Sequence, residues 1–280
     1  MQWGPAAQDS LFEWNGSRQM MLSVIVTTYN RPDALRKVLK GLMHQLLMPD
    51  EVIIADDGST EETRMAVSGI QDACPFPLRH VRQEDRGFRL ARIRNKAIRA
   101  AGGRYIVMLD GDCIPDSRFV QDHLALAEEG CFFQGKRVLV QQRAAEAFTH
   151  HSIGRYRIRN LFTRGIENRH HLIAVPFFPA LRSTRLSGIR GCNMGFFRKD
   201  IFKVNGYNED FIGWGREDSE LAVRFYKAGM RRKEHPFKAI CYHLWHPEQH
   251  RERLTVNDAL LEKALHSHSH TCTNGLMQLR

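Results

Sequence analysis

No stretch of the 280 residues stays apolar for the roughly 18–20 positions that a membrane-crossing helix needs. The opening residues, MQWGPAAQDS, offer neither the basic segment nor the apolar core of a secretory leader. A soluble, cytoplasmic protein is therefore expected. The cysteines Cys74, Cys113, Cys131, Cys192, Cys241 and Cys272 contain no C-x-x-C pair. This argues against a disulfide framework and for reduced, mostly buried thiols. Neither G-x-x-x-x-G-K-[ST] nor G-x-G-x-x-G occurs, which counts against a P-loop NTPase and a dinucleotide-binding fold. No internal repeat is found. Acids are scarce in one region: between Glu146 and Asp200 the only one is Glu167, while eight arginines lie from Arg155 to Arg190.

The net charge is +10. A second basic field, from Arg82 to Arg104, holds seven arginines and Lys96 against Glu84 and Asp85. Such fields attract anions: a nucleotide sugar, a phosphorylated glycolipid, nucleic acid, or the anionic inner face of a membrane. No nucleic-acid module is recognisable, so nucleic acid is not expected as a partner.

The first half alternates. LSVIVTTYN reads as a buried strand and RPDALRKVLKGLMHQ as a helix with Pro32 in its first turn. EVIIADD is a second strand. A helix follows, with Ser59 or Thr60 as N-cap and a capping-box glutamate. PLRHVRQ is a third strand, and RLARIRNKAIRAA a helix closed by Gly102 and Gly103. RYIVMLD is a fourth strand. This order predicts an α/β fold, a mostly parallel sheet flanked by helices, with ligands at the carboxyl ends of its strands. Later, CFFQGKRVLV reads as one further strand and GCNMGFFRKDIF as a strand running into a short helix. EDSELAVRFYKAG and LTVNDALLEKALHS are helical, and KAICYHLWHPE is a strand entering a loop. Residues 150–188 form a basic, aromatic loop, a candidate lid. The tail to Arg280 reads as frayed, and His266, His268 and His270 as tail residues. The expected organisation is an extension over 1–20, a nucleotide-sugar-binding half over 21–130, an acceptor-binding and catalytic half over 131–250, and a terminal helix and tail over 251–280.

Several segments carry chemistry. LDGDC places Asp110 and Asp112 around Gly111 at the end of an apolar strand. Carboxylates this close repel unless a proton or cation intervenes, and a divalent ion also bridges to a diphosphate. The plainer reading is a tight Asp-Gly turn. Thr28, Tyr29 and Asn30 end the first strand. Asp56 and Asp57 end the second, where carboxylates can accept from a nucleobase or ribose; they also suit a helix start. Arg89 and Arg94 suit phosphate oxygens, although Arg89, Arg92 and Arg94 cannot all face one way. His243 and His246 flank Trp245 as candidate metal ligands. In GWGREDSEL, Gly213 and Gly215 bracket Trp214 and three carboxylates follow, Glu217, Asp218 and Glu220. These suit a helix N-terminus; one could equally take a proton.

Taken in order, TTYNRP, DDGS, RIRNKAI, LDGD and GWGREDSEL resemble glycosyltransferase family 2 enzymes of the GT-A fold. The second half resembles a galactosyltransferase-type C-terminal region. The likeness spans roughly Leu22 to Glu248. It implies a UDP-sugar donor, a Mn2+ or Mg2+ cofactor and inversion at the anomeric carbon. It puts Thr28, Tyr29, Asp57 and Asp56 near the nucleotide, Asp110 near ribose and metal, and Asp112 and His246 on the metal, with His243 a less secure ligand. Asp218 matches the base, Glu217 its acceptor-side neighbour, and Trp214 a wall of the sugar pocket. The implied acceptor is a glycan or glycolipid of bacterial surface polysaccharide, lipopolysaccharide core or capsule, with peripheral contact at the inner membrane. A non-catalytic nucleotide- or glycan-binding protein and a nucleotidyltransferase are the alternatives.

Overall fold

The computed structural model describes residues 12–14, 17–19, 21–154, 165–173, 175, 177–247 and 251–278. Most of the expected N-terminal extension lies outside them, as do Arg155, Arg157, Arg159 and Arg164 of the basic loop and Glu248. A short antiparallel hairpin, Phe12–Trp14 with Ser17–Gln19, precedes the main body.

The first half alternates as expected: β1 (Leu22–Thr28), α1 (Pro32–Met43), β2 (Glu51–Asp56), α2 (Glu61–Gln71), β3 (Leu78–Arg82), α3 (Leu90–Ala100) and β4 (Tyr105–Asp110). Short β5 (Cys113–Pro115) and α4 (Phe119–Leu126) follow. Next come β6 (Cys131–Gln134), β7 (Lys136–Val140), β8 (Ile166–Glu167), β9 (Leu181–Ser183) and β10 (Asn193–Phe197). The chain continues through α5 (Arg198–Lys203), α6 (Glu217–Lys227), β11 (Arg231–Glu234), β12 (Ile240–Leu244) and α7 (Leu254–His266).

Eight strands form one sheet in the order β9-β11-β6-β10-β4-β1-β2-β3. β4, β1, β2 and β3 run parallel, whereas β10 is antiparallel to both β4 and β6. A second sheet, β8-β7-β12-β5, holds four strands. Every residue of β1 and β2 is buried, because helices cover both faces; the strand centres are apolar and largely β-branched, and the buried Ser23, Glu51 and Asp56 near the ends are hydrogen-bonded. Alternation divides them: Val24 and Val26 pack toward α1 with Leu35, Val38, Leu39 and Leu42, while Ile25 and Ile53 pack toward α3 with Ile93, Ala97 and Ile98.

Four local expectations are corrected. CFFQGKRVLV is two strands in different sheets, broken at Gly135, where a Cβ would meet the Asn193 amide at 2.3 Å. The N-cap of α2, Thr60, makes no side-chain cap; its amide donates instead to Asn30 Oδ1 at 2.8 Å. Helix α3 ends at Ala101 in an extended conformation. Gly103 is required instead by contact with β1, since a Cβ there would stand 2.4 Å from Ser23 Oγ. The tail is docked as far as it is described: Leu276 is buried in the α3-side core, and its amide donates to Asn205 O at 3.0 Å.

Candidate active site

Parallel register aligns the strand ends. Thr28 lies opposite Asp56, and Thr27 opposite Asp110. Thr27 Oγ1 donates to Asp110 Oδ1 at 2.9 Å. The Gly111 amide donates to Thr27 O at 2.7 Å, and a Cβ at Gly111 would sit 2.5 Å from that oxygen. Glycine therefore lets the DGD turn lie against β1. The Thr28 hydroxyl is buried and has no hydrogen-bond partner among the described residues. Tyr29 is exposed and its hydroxyl donates to Asp85 at 3.1 Å. Asn30, at φ 48°, receives Thr60 N on its side chain and gives its own amide to Ser59 Oγ at 2.9 Å. It ties two rim loops together.

The DDGS carboxylates turn inward. Asp56 is fully buried and accepts from Ser59 N at 2.8 Å, with His80 Nε2 at 2.9 Å. Burial alone would raise its pKa, but the bonds from His80 and Ser59 outweigh it and hold the group below its ordinary value. The expected nucleotide contact for Asp56 is therefore corrected: it holds the turn. Asp57 accepts the Arg89 amide at 2.8 Å and a bond from Gln83 Nε2. Burial pushes its carboxyl up. Arg89, Arg82, Arg86, Arg92 and Lys96 line a cavity of about 700 Å³ between β3 and α3, together with Asp85.

Arg94 is the larger correction. It is 1% exposed and cannot reach out to a phosphate. Its guanidinium instead lies 2.8 Å from Asp218 Oδ1, 3.3 Å from Glu217 Oε1 and 3.4 Å from Asp110 Oδ1. One buried cation thus joins the strand-end rim to the start of α6. The other Asp218 oxygen accepts the Gly191 amide at 2.6 Å. A Cβ at Gly191 would fall 2.2 Å from Asp218 Oδ1, so the backbone presses directly on the carboxylate. Burial and neighbouring Asp218 push the Glu217 carboxyl up to about 7, against the opposing pull of Arg94. Asp218 is also raised, first by burial. Glu220 is different: it pairs with buried Arg224 at 2.6 Å, and Arg224 also donates to Val204 O and Gly206 O. Its role is structural.

The loop before α6 needs three left-handed residues, Gly213 at φ 79°, Gly215 at 102° and Arg216 at 78°. The glycines supply conformation there. Asn257 of α7 braces the loop through Gly215 O at 3.0 Å. Trp214 remains 40% exposed, with the Arg251 guanidinium 4.9 Å from its ring.

Asp112, His243 and His246 come together. Asp112 Oδ1 is 3.6 Å from His243 Nε2, and Oδ2 is 3.3 Å from His246 Nε2. Their ligand atoms lie within 4.8 Å of one another, the only such group of three among the described residues. The antiparallel pairing of β5 with β12 sets His243 opposite Cys113, and Leu244 N donates to Asp112 O at 2.8 Å. One carboxylate and two imidazoles fit a divalent ion such as Mn2+. Asp110 is not in this group; Thr27 and Arg94 hold it.

Two residues here were not singled out from sequence. Arg31 Nη1 donates to Asp112 Oδ2 at 2.6 Å; its position just after TTYN, at the carboxyl end of β1, is the signal that could have found it. Gly191 had no such signal, because only the fold brings it under Asp218.

A sequence-family profile described as glycosyl transferase family 2 matches residues 23–188, more than half of the chain. A second, described as the N-terminal domain of galactosyltransferase, matches residues 174–247. The chain is 29% identical to chondroitin synthase of Escherichia coli over 224 residues, 74% of this chain and 32% of that protein. It spans about a quarter to a half of the length of the first curated relatives it matches. Among solved structures, S. aureus TarS 1-349 in complex with UDP-GlcNAc superposes with TM-score 0.61 at 19% identity, covering 88% of this chain and 66% of that one. Mannosyltransferase PcManGT from Pyrobaculum calidifontis, in complex with GDP-Man and Mn2+, gives 0.54 at 22% identity, covering 87% and 62%. These structural likenesses establish the GT-A fold.

Proposed function

The chain belongs to glycosyl transferase family 2, and from that premise we propose that it moves a hexosyl group from a UDP-sugar to an acceptor hydroxyl with inversion. The observation that carries this reading is the Arg94 guanidinium, which holds Asp110 of the strand-end rim and Asp218 of α6 on one cation. A group able to face a donor and a group able to face an acceptor are thereby fixed side by side. Asp218 takes the proton of the acceptor hydroxyl; the hydroxyl oxygen bonds to the anomeric carbon, and the bond from that carbon to the diphosphate oxygen breaks. Arg94 and the Gly191 amide orient the base. Trp214 offers an apolar face to a sugar ring. Asp112, His243 and His246 would hold Mn2+ or Mg2+, which supplies positive charge for the departing diphosphate. Tyr29, Asn30 and Asp110 are donor-side groups with open surface. Similarity to chondroitin synthase supports a glycan or glycolipid acceptor in bacterial surface polysaccharide synthesis.

The test is a thermal-shift and UDP-sugar hydrolysis panel with Mn2+, Mg2+ or chelator. One UDP-sugar is expected to stabilise the protein in a metal-dependent way, and Asp112→Ala to abolish that shift. A panel without any nucleotide effect overturns the reading.

Arg31 supplies a second measurement. Its guanidinium and a metal ion would draw on the same oxygen, Asp112 Oδ2. With Arg31 a third exposed, screening limits the competition. Arg31→Ala should tighten Mn2+ binding without donor by roughly threefold to tenfold, read from free Mn2+ by electron paramagnetic resonance. Weaker binding would mean instead that Arg31 positions the carboxylate for the ion.

A further inference from the structure

Five of the exposed large apolar side chains fall within residues 173–181: Ile173, Val175, Phe177, Phe178 and Leu181. Soluble proteins seldom concentrate bare apolar surface in one short loop without a partner for it. The base of this loop is fixed. Phe178 packs edge-on against Phe237 at 5.3 Å and His235 at 5.8 Å, and its carbonyl lies 2.9 Å from His235 Nε2. Leu181 begins β9, paired antiparallel with β11. The tip differs: Phe177 is fully exposed and sits at φ 62°, a conformation unfavourable for a bulky side chain. Within the described residues nothing covers its ring.

Charge narrows the partner. The tip contains no acid, and Arg182, Arg185 and Arg190 follow it directly, all exposed. Arg182 is held bidentate by Glu128, at 3.0 and 2.6 Å, and Tyr226 donates to the Arg185 carbonyl at 3.0 Å. An apolar tip on a chain segment that goes on to the exposed Arg185 and Arg190 matches the boundary of an anionic bilayer, where rings enter the acyl layer and guanidinium groups meet lipid phosphates. A second copy fits worse, since it brings the same arginines and another +10 of charge.

We propose that Phe177, with Ile173 and Val175 beside it in the chain, enters an anionic lipid surface and holds the protein at the layer where glycolipid acceptors reside. The insertion needs neither donor nor transfer, so its failure is separable from failure of the transferase reading.

The experiment is flotation of the full chain with vesicles of phosphatidylcholine alone and of phosphatidylcholine doped with phosphatidylglycerol. The wild type should float with the doped vesicles far more than with the neutral ones. Phe177→Ser should weaken that binding about tenfold or more, while its unfolding midpoint and its response to UDP stay at wild-type values. Phe177→Trp should retain binding and show a blue-shifted emission on the doped vesicles. Equal flotation of Phe177→Ser and wild type overturns the proposal. So does a wild type that ignores both vesicles, or one whose tip only mediates self-association that Phe177→Ser removes.

Discussion

Asp218→Asn is expected to lower the transfer rate about a thousandfold while leaving UDP-sugar binding within a few fold of wild type. The amide keeps the shape of the side chain and removes its ability to take a proton. Its oxygen can still accept from Arg94, but its NH2 would then face the Gly191 amide, donor against donor. That mismatch is expected to cost about 1–3 kcal/mol of stability, so rates must be compared well below the unfolding midpoint. The control is Glu217→Gln. Glu217 is more buried than Asp218, so its carboxylate is less open to an acceptor hydroxyl. Its replacement should lower transfer by no more than about tenfold. A reversal, with Glu217→Gln inactive and Asp218→Asn within tenfold of wild type, would move the base to Glu217. Single-turnover rates with saturating donor decide between them, because they separate chemistry from binding.

Much of this arrangement is legible in the sequence, and the parts that are not share a physical cause. Apolar runs and turn residues report local structure, so the β1–β4 alternation and the strand-end positions of Thr28, Asp56 and Asp110 follow from them. The convergence of Asp112, His243 and His246 was readable only through likeness to the family, since 131 positions separate Asp112 from His243 and the β5–β12 pairing alone closes that gap. Direction is what residue type conceals. Arg94 looks like a phosphate ligand, yet it stands three residues after Ala91 and four before Ile98, on the buried stripe of α3. The helical period contained that signal, and the chemical habit of arginine pointed away from it. Asp56 misleads similarly: a strand-end carboxylate serves a ligand or its own turn, and the Ser59 amide and His80 decide for the turn. The docked tail was hidden because its fixing contacts, Leu276 to Asn205 among them, join the chain end to a distant loop.

The second large effect concerns Arg94→Met, expected to destabilise the protein by about 3–5 kcal/mol near neutral pH. Methionine fills much of the space but leaves Asp110, Glu217 and Asp218 without the cation they share. Burial alone would push the guanidinium pKa down; the carboxylates outweigh it and hold it above the ordinary value, so the charge on Arg94 is secure. Removing it leaves Glu217 and Asp218, whose ionisation is already unfavourable. Glu217 titrates in the folded state at about 7 against an ordinary 4.5. Between those values the folded protein binds the proton more tightly than the unfolded chain does, so stability from this group rises as pH falls through about 7 and levels off below 4.5. Without Arg94 the folded pKa moves higher, which starts the rise in stability at higher pH and widens the window over which it occurs. Urea unfolding at about pH 8 and about pH 5 should therefore show a large deficit for Arg94→Met at the higher pH and a partial recovery at the lower, with wild type changing less. An equal deficit at both values would trace the loss to packing against Tyr207, whose ring lies 5.0 Å from the guanidinium, and would remove the electrostatic link between the donor rim and the base.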